Sequence, residues 1–166
     1  MAQFELPYFG VIDTDNPEEY YDVEIDLNGR MVEVDLNFDT KSIDPSRLET
    51  VNTFLGKLST YDAQSRQEIR DNYFLEDNNT LKGFIEFYVE EIDHDELIEA
   101  LGVTRDDIEQ QVPLLEKLQL VRVGFYPQQE GQLATFDYSF GRDFTDELVV
   151  VNRNDEGQLR YITWES

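Results

Sequence analysis

The single histidine, His94, is the first residue to consider for chemistry, because the chain contains no cysteine. Glu91 and His94 have the Glu-x-x-His spacing that places two metal ligands on one helix face. A di-iron site needs a second such motif, and a mononuclear site of this kind needs a second histidine. No serine lies in a Gly-x-Ser-x-Gly elbow either. We therefore interpret His94 as a surface residue, and we assign no catalytic residue, no metal ligand and no cofactor to this motif.

A second candidate is the pair formed by Arg122 and Asp137. Asp137 lies between Phe136 and Tyr138 in a predicted central strand, where an unpaired carboxylate is costly. If Tyr126 faces Leu133, Arg122 lies directly across from Asp137. A structural ion pair is the favoured interpretation, and a functional pocket at Arg122, Asp137 and Tyr138 is the alternative. Gly124, in the same strand, indicates a bulge or the close approach of another backbone segment.

The clearest local signal is Asn28-Gly29, which separates two runs of alternating apolar and polar residues over 20–27 and 30–38. Asn-Gly favours a two-residue hairpin turn, because both central residues need a positive φ. The turn fixes the register, so that Ile25 faces Val32 and Val23 faces Val34. The apolar residues then share one face of the hairpin, in agreement with the alternation.

The same register places five carboxylates on the other face of the hairpin. Glu24 lies opposite Glu33, Asp22 lies opposite Asp35, and Asp26 lies alongside. Like charges that oppose each other across a ladder are destabilising. Three interpretations stay open: a solvated outer face, a docking face for a basic protein, and a divalent-cation site. The last is the weakest, because adjacent strand carboxylates lack the backbone oxygens that calcium usually needs.

Composition narrows the class of partner. The 166 residues carry a formal net charge of −24, and residues 1–40 contain eleven acidic residues against one basic residue, Arg30. Nucleic acids and anionic membranes are poor partners for such a chain, because phosphate binding requires lysine and arginine. The excess charge indicates either a device for solubility or complementarity to a basic partner. Without an apolar run of transmembrane length or a signal-peptide pattern, we expect a cytoplasmic protein.

The remaining sequence patterns predict the strands and helices that position these side chains. The C-terminal third predicts four antiparallel strands at 118–126, 133–140, 148–151 and 159–164, joined by short turns. An edge or interrupted strand is predicted at 4–12, because Pro7 cannot donate to a ladder. Asp44-Pro45 predicts a helix start, with apolar positions from Leu48 to Tyr61. Asp62 predicts the cap of a second helix over 63–75, and further helices follow over 81–92 and up to Leu101.

Together these elements predict one α+β domain over residues 1–166. The hairpin and the four-strand meander are expected to share one largely antiparallel sheet, with the helices of 44–118 packed on one face. The alternative is a pair of small sheets around a helical middle.

Several segments together resemble a bacterial family of small acidic proteins known as a domain of unknown function. They are Leu6-Pro7-Tyr8-Phe9-Gly10, the stretch from Glu18 to Val23, Val121 to Pro127, Phe136 to Ser139, and Thr163 to Ser166. The resemblance spans nearly the whole chain. It implies a cytoplasmic bacterial α+β protein without an assigned activity, and it transfers no functional residue.

The leading functional hypothesis is a non-enzymatic acidic interaction protein, with an immunity-like inhibitor of a basic toxin as one form. That form rests on analogy with other small acidic α+β proteins. The alternatives are a small hydrolase or metal-dependent enzyme that uses carboxylates, and a structural subunit of a complex. The sequence does not specify the oligomeric state.

Overall fold

A computed structural model describes residues 2–39, 41–77, 79–141 and 143–166, which form eight strands and six helices. The strands are β1 (Gln3–Leu6), β2 (Gly10–Asp13), β3 (Tyr20–Leu27), β4 (Arg30–Asn37), β5 (Gln119–Phe125), β6 (Ala134–Ser139), β7 (Leu148–Arg153) and β8 (Leu159–Glu165). The helices are α1 (Pro45–Leu55), α2 (Leu58–Tyr73), α3 (Thr80–Glu91), α4 (His94–Leu101), α5 (Arg105–Gln110) and α6 (Val112–Leu115).

The main sheet has six strands in the order β3-β4-β5-β6-β7-β8, and the other two strands form a separate antiparallel pair. The α+β class is therefore confirmed. The sheet is mixed, however, because β4 and β5 run parallel. A parallel pair needs a long crossover connection, and here that connection contains all six helices of the described chain. The predicted meander is roughly right: β5 to β8 pair in order, with irregular pairing between Leu120 and Arg122 and between Asn152 and Arg153.

The N-terminal segment is a hairpin and not one interrupted strand. β1 pairs with β2 from Gln3 opposite Asp13 to Leu6 opposite Gly10. Pro7 lies in the turn, where its missing N–H costs no ladder hydrogen bond. Tyr8 has a φ of 70°, which the turn requires. Leu6 and Ile12 are buried, so this small sheet extends the core beside α1.

The first helix begins as predicted, but the second does not. The Asp44 side chain accepts a hydrogen bond from the Ser46 N–H (2.9 Å), and Pro45 is the first helical residue. The chain turns at Gly56 and Lys57, and α2 begins at Leu58. Asp62 is therefore inside α2 and buried, and it is not a cap. Its carboxylate accepts a hydrogen bond from the Tyr138 hydroxyl (2.6 Å).

Helices α1, α2 and α3 pack against one face of the six-stranded sheet, the inner face. Rings from α1, α2 and α3 contact rings of the sheet region: Phe54 against Phe125, Tyr61 against Phe136, and Phe84 against Phe140. Burial of each such side chain contributes about 1.5–3 kcal/mol. Since strand side chains alternate, every second residue of β3 to β8 points to the opposite side, called the outer face.

Candidate cation-facing surface

The predicted hairpin register is confirmed over all of β3 and β4, from Tyr20 opposite Asn37 to Leu27 opposite Arg30. Val32, Val34 and Leu36 are buried on the inner face. On the outer face Asp22, Glu24 and Asp26 are exposed. The Asn28-Gly29 turn has the predicted positive φ at both residues, 54° and 87°. The local sequence therefore determines which carboxylates share the outer face.

Asp35 departs from the prediction of a five-carboxylate docking face. It has 0% exposure, and its two oxygens accept hydrogen bonds from Arg122 Nε (2.5 Å) and Nη2 (2.8 Å). The cause is that β4 is an interior strand. β5 lies beside it in parallel, with Asp35 opposite Gly124 and Glu33 opposite Arg122. Asp35 is therefore removed from the surface available to a partner.

Arg122 also binds Asp137, as the predicted pairing across β5 and β6 requires. The two residues are register partners, and Arg122 Nη1 donates to Asp137 Oδ2 (3.1 Å). Asp137 is 4% exposed. The structure thus joins two candidates that the sequence treated separately into a triad of Asp35, Arg122 and Asp137.

Gly124 makes room for this triad. A Cβ at position 124 would lie 2.6 Å from Arg122 Nη2, so the guanidinium group lies directly over the glycine. The predicted close approach is correct in kind, but the neighbour is a side chain and not another backbone segment. The irregular pairing lies instead between Leu120 and Arg122.

The electrostatics of the triad exclude it as an anion-binding site. Burial lowers the pKa of Arg122, but hydrogen bonds to Asp35 and Tyr126 outweigh that effect, so the pKa is raised and the guanidinium stays charged. Burial raises the pKa of Asp137 above its ordinary value, although the charge of Arg122 opposes the rise. By formal charge, one cation is shared between two anions. Arg122 is committed to internal partners, and the triad adds negative charge to the outer face.

The alternative pocket at Arg122, Asp137 and Tyr138 is not brought together. Tyr138 follows Asp137 directly in β6, so it points to the inner face, where its hydroxyl donates to Asp62. Burial, together with the charge of Asp62, raises the pKa of Tyr138. Its phenol is therefore a neutral core donor.

His94 is also held in a structural contact. Its Nε2 lies 2.9 Å from the Val89 carbonyl oxygen. Glu91 ends α3 and His94 begins α4, so the two residues do not share a helix face. Within the described residues, no group of three or more histidine, aspartate and glutamate side chains is placed to hold a metal ion.

Sequence reasoning missed Arg153, which lies on the inner face and is 0% exposed. Its guanidinium lies over the rings of Tyr61 (5.4 Å) and Phe136 (5.6 Å) and is paired with Glu68. The predicted strand ended at Val151, which left Arg153 in a polar turn. Extending the alternation from Val149 and Val151 by two residues would have placed Arg153 on the inner face.

Comparisons of the chain with protein-family models, with curated proteins and with solved structures find no match. The resemblance to a domain-of-unknown-function family therefore stays a prediction. None of the helices in the described parts of the chain is long and apolar enough to cross a membrane.

Proposed function

We propose that the protein is a non-enzymatic interaction protein that binds a basic partner protein on the outer face of β3 and β4. The observation that carries this proposal is the placement of charge. Asp22, Glu24 and Asp26 are exposed on a sheet face opposite the helices. Across β3 to β6, alternation places one cation on that face, Arg122, and two buried aspartates already bind it.

A negative field at this face is supported by the environment of Tyr20, at the start of β3. Partial burial raises the pKa of the Tyr20 phenol, and the charges of Asp35, Glu33 and Asp22 raise it further. Carboxylates disfavour a second negative charge and favour a positive one. A lysine or arginine placed over Asp22 and Glu24 would therefore relieve repulsion that the isolated protein carries.

Net charge adds a kinetic contribution. A protein with a formal charge of −24 attracts a basic partner over long distances, so association is fast at low salt and slows as salt screens the charges. Neutralisation of a basic toxin or nuclease is one form that this interaction takes in our proposal. Binding would then block the positive surface of the partner.

The test compares two charge-reversed variants that have the same net charge. The face variant combines Asp22→Lys with Glu24→Lys, and the control combines Glu90→Lys with Glu99→Lys on exposed positions of α3 and α4. The probe is a lysine-rich peptide, and calorimetry measures its affinity at several salt concentrations. We expect the face variant to bind roughly tenfold or more weakly than the control, with a smaller dependence on salt.

Equal affinity and equal salt dependence for the two variants would overturn the proposal. That result would mean that the peptide responds to net charge alone. Asp35 is left unchanged in both variants, because its replacement would disrupt the buried triad and confuse binding with stability.

A further inference from the structure

A small pocket opens at the carboxyl ends of β4 and β5, the one parallel pair in the described sheet. Beyond this point the chain leaves β4 for the helical crossover, whereas it leaves β5 for the turn into β6. In open α/β sheets, ligands commonly bind in a crevice outside the carboxyl ends of parallel strands. The cavity measures about 380 Å³, near the lower end of ligand pockets. The residues that line it include Tyr20, Tyr126, Asn37, Glu19, Asp39 and Gln128.

The walls of the pocket are fixed by hydrogen bonds to the acidic face. The Asn37 amide donates to Asp35 Oδ1 (2.7 Å) and to the Phe125 carbonyl oxygen (3.3 Å). The Tyr126 hydroxyl accepts from Arg122 Nη2 (3.2 Å). The Tyr20 hydroxyl donates to Glu33 Oε1 (3.3 Å). Both tyrosines are therefore held before any ligand arrives, which lowers the entropic cost of binding.

Gln128 fixes the opposite wall. Its side-chain oxygen accepts from the Asp39 N–H, and its side-chain nitrogen donates to the Ser42 carbonyl oxygen (3.0 Å). These bonds tie the segment after β4 to the segment after β5. They hold Asp39 at the edge of the pocket, where its side chain is exposed.

The chemistry of the pocket suits a cation. Two tyrosines, Tyr20 and Tyr126, line it together with two acidic residues, Glu19 and Asp39. The adjacent triad contributes surplus negative charge, since Arg122 is shared by two aspartates. Aromatic faces beside carboxylates attract ammonium and guanidinium groups, and arginine is used more often than lysine in such contacts. An anionic or purely apolar ligand would meet unfavourable charge or unpaired polar groups.

We propose that this pocket binds the guanidinium group of one arginine side chain of the basic partner. The inference rests on the proposed function, because the arginine belongs to the protein that docks on the acidic face. Tyr20 belongs to both sites, since it begins β3 and lines the pocket. One partner can therefore cover Asp22 and Glu24 while it inserts an arginine beside Tyr20.

The test uses two capped tripeptides, Gly-Arg-Gly and Gly-citrulline-Gly, which have nearly the same shape but differ in charge. Titration of the ¹⁵N-labelled protein is followed by NMR. We expect the arginine peptide to shift the backbone amides of Tyr20, Asn37 and Tyr126, and the citrulline peptide to leave them unchanged. Equal shifts with both peptides, or shifts with arginine that lie elsewhere, would overturn the pocket assignment.

Matched variants extend the test. Tyr20→Leu removes a ring that is 47% exposed, and Tyr161→Leu removes a similarly exposed ring (43%) on β8. We expect Tyr20→Leu to weaken binding of the arginine peptide about three- to thirtyfold, Asp39→Asn to weaken it less, and Tyr161→Leu to leave it unchanged. Equal effects of Tyr20→Leu and Tyr161→Leu would contradict the proposal.

The two proposals fail in different ways. The arginine and citrulline tripeptides could give equal shifts while the face variant still binds the lysine-rich peptide more weakly. That result would overturn the pocket assignment and leave the docking face supported. The reverse result would retain a cation pocket and remove the docking face. Tighter binding of free spermidine than of the arginine peptide would overturn the assignment of a partner side chain as the occupant.

Discussion

Arg122 and Arg153 lie on opposite faces of the same sheet, and they meet the cost of burying a cation in different ways. Arg153 is 0% exposed and contacts two aromatic rings, Tyr61 and Phe136, that also contact each other. Its Nη1 donates to the Gly157 carbonyl oxygen (2.9 Å) and its Nη2 to Ser65 Oγ (2.8 Å). The Arg122 side chain is 23% exposed and binds two carboxylates.

The difference separates a structural role from a contribution to function. Arg153 joins α2 to β7 and balances its charge with one carboxylate, Glu68, beside neutral groups. Arg122 pairs with two carboxylates, Asp35 and Asp137, so the formal charge of the three side chains together is negative. A buried arginine therefore does not by itself mark a site. The net charge of the arginine and its neighbours determines whether the adjacent surface attracts cations or anions.

Each arginine also depends on a nearby glycine. Gly124 lies beneath the guanidinium of Arg122. Gly157 has a φ of 82°, and a Cβ there would lie 2.4 Å from the Tyr61 hydroxyl, on the ring that covers Arg153. Gly124 allows the Arg122 guanidinium to approach the backbone, and Gly157 allows the Tyr61 ring to do so. The position of each arginine side chain therefore depends on a glycine in the chain.

The largest effect is expected for Arg153→Met, which removes the charge and keeps most of the volume. The Gly157 carbonyl, Ser65 and Glu68 each lose a partner. We expect the free energy of unfolding to fall by about 3–5 kcal/mol in urea denaturation. Arg160→Met on β8, where the arginine is exposed, should change it by less than about 0.5 kcal/mol. Similar losses for the two variants would contradict a core role for Arg153.

Arg122→Met should have the second largest effect, because it leaves Asp35 fully buried without a cation. We expect a loss of about 2–4 kcal/mol at neutral pH, below the value for a fully enclosed pair because the arginine is partly exposed. The loss should shrink on acidification, since burial raises the pKa of Asp137 and its protonation removes one of the unpaired charges. Asp35→Asn in the Arg122→Met background should recover part of the stability. No recovery would show that packing, not charge, causes the loss.

Gly124→Ala should cost about 1–3 kcal/mol, because the new methyl group forces the Arg122 guanidinium away from its carboxylates. The cost should largely disappear in the Arg122→Met background. Gly83→Ala is the control: its Cβ would have an ordinary contact of 3.9 Å with Trp164, and alanine favours a helix. We expect that control to be neutral or stabilising in thermal unfolding. A Gly124→Ala cost that persists without Arg122 would place the clash elsewhere.

The smallest expected effect concerns the contributions of Asp137 and Asp155 to the free energy of unfolding, which should change with pH in opposite directions. The folded pKa of Asp137 is raised, so the folded state holds its proton longer, and its contribution to stability falls as pH rises through the window above about 3.8. Hydrogen bonds from Arg47 lower the pKa of Asp155, so its contribution is lost as pH falls below its ordinary value.

Relative to the wild type, the stability deficit of Asp137→Asn should therefore shrink as pH rises, and the deficit of Asp155→Asn should grow. Urea denaturation between about pH 3 and 6 measures both slopes. Slopes of the same sign would contradict the assigned environments.

The sequence predicts those parts of this arrangement that depend on local geometry. Asn28-Gly29 determines the hairpin register, and a short turn places Arg122 opposite Asp137. The burial of Asp35 depends on a non-local fact, the parallel addition of β5 to β4 after a crossover of about eighty residues. No local pattern in the hairpin indicates which of its strands becomes interior. The pocket beside Tyr20 and Tyr126 has the same cause, because it exists only where those two strands meet.

Two other differences arise where tertiary contacts override the local preference of a residue type. Asp62 has the residue type of a helix cap, but the chain turns earlier and Asp62 pairs with Tyr138 from the sheet. Arg153 has the residue type of a turn, but aromatic rings and a glutamate from α2 stabilise it inside the core. In both positions tertiary contacts override the local preference.

The most direct test of the account is to map where a basic ligand binds. The ¹⁵N-labelled protein is titrated with the lysine-rich peptide, and the shifts of the backbone amides are compared across the molecule. We expect the shifts to concentrate on β3 and β4 and to decrease as salt is added. Shifts concentrated on α3 and α4, where Glu90 and Glu99 are also exposed, would contradict the proposed docking face.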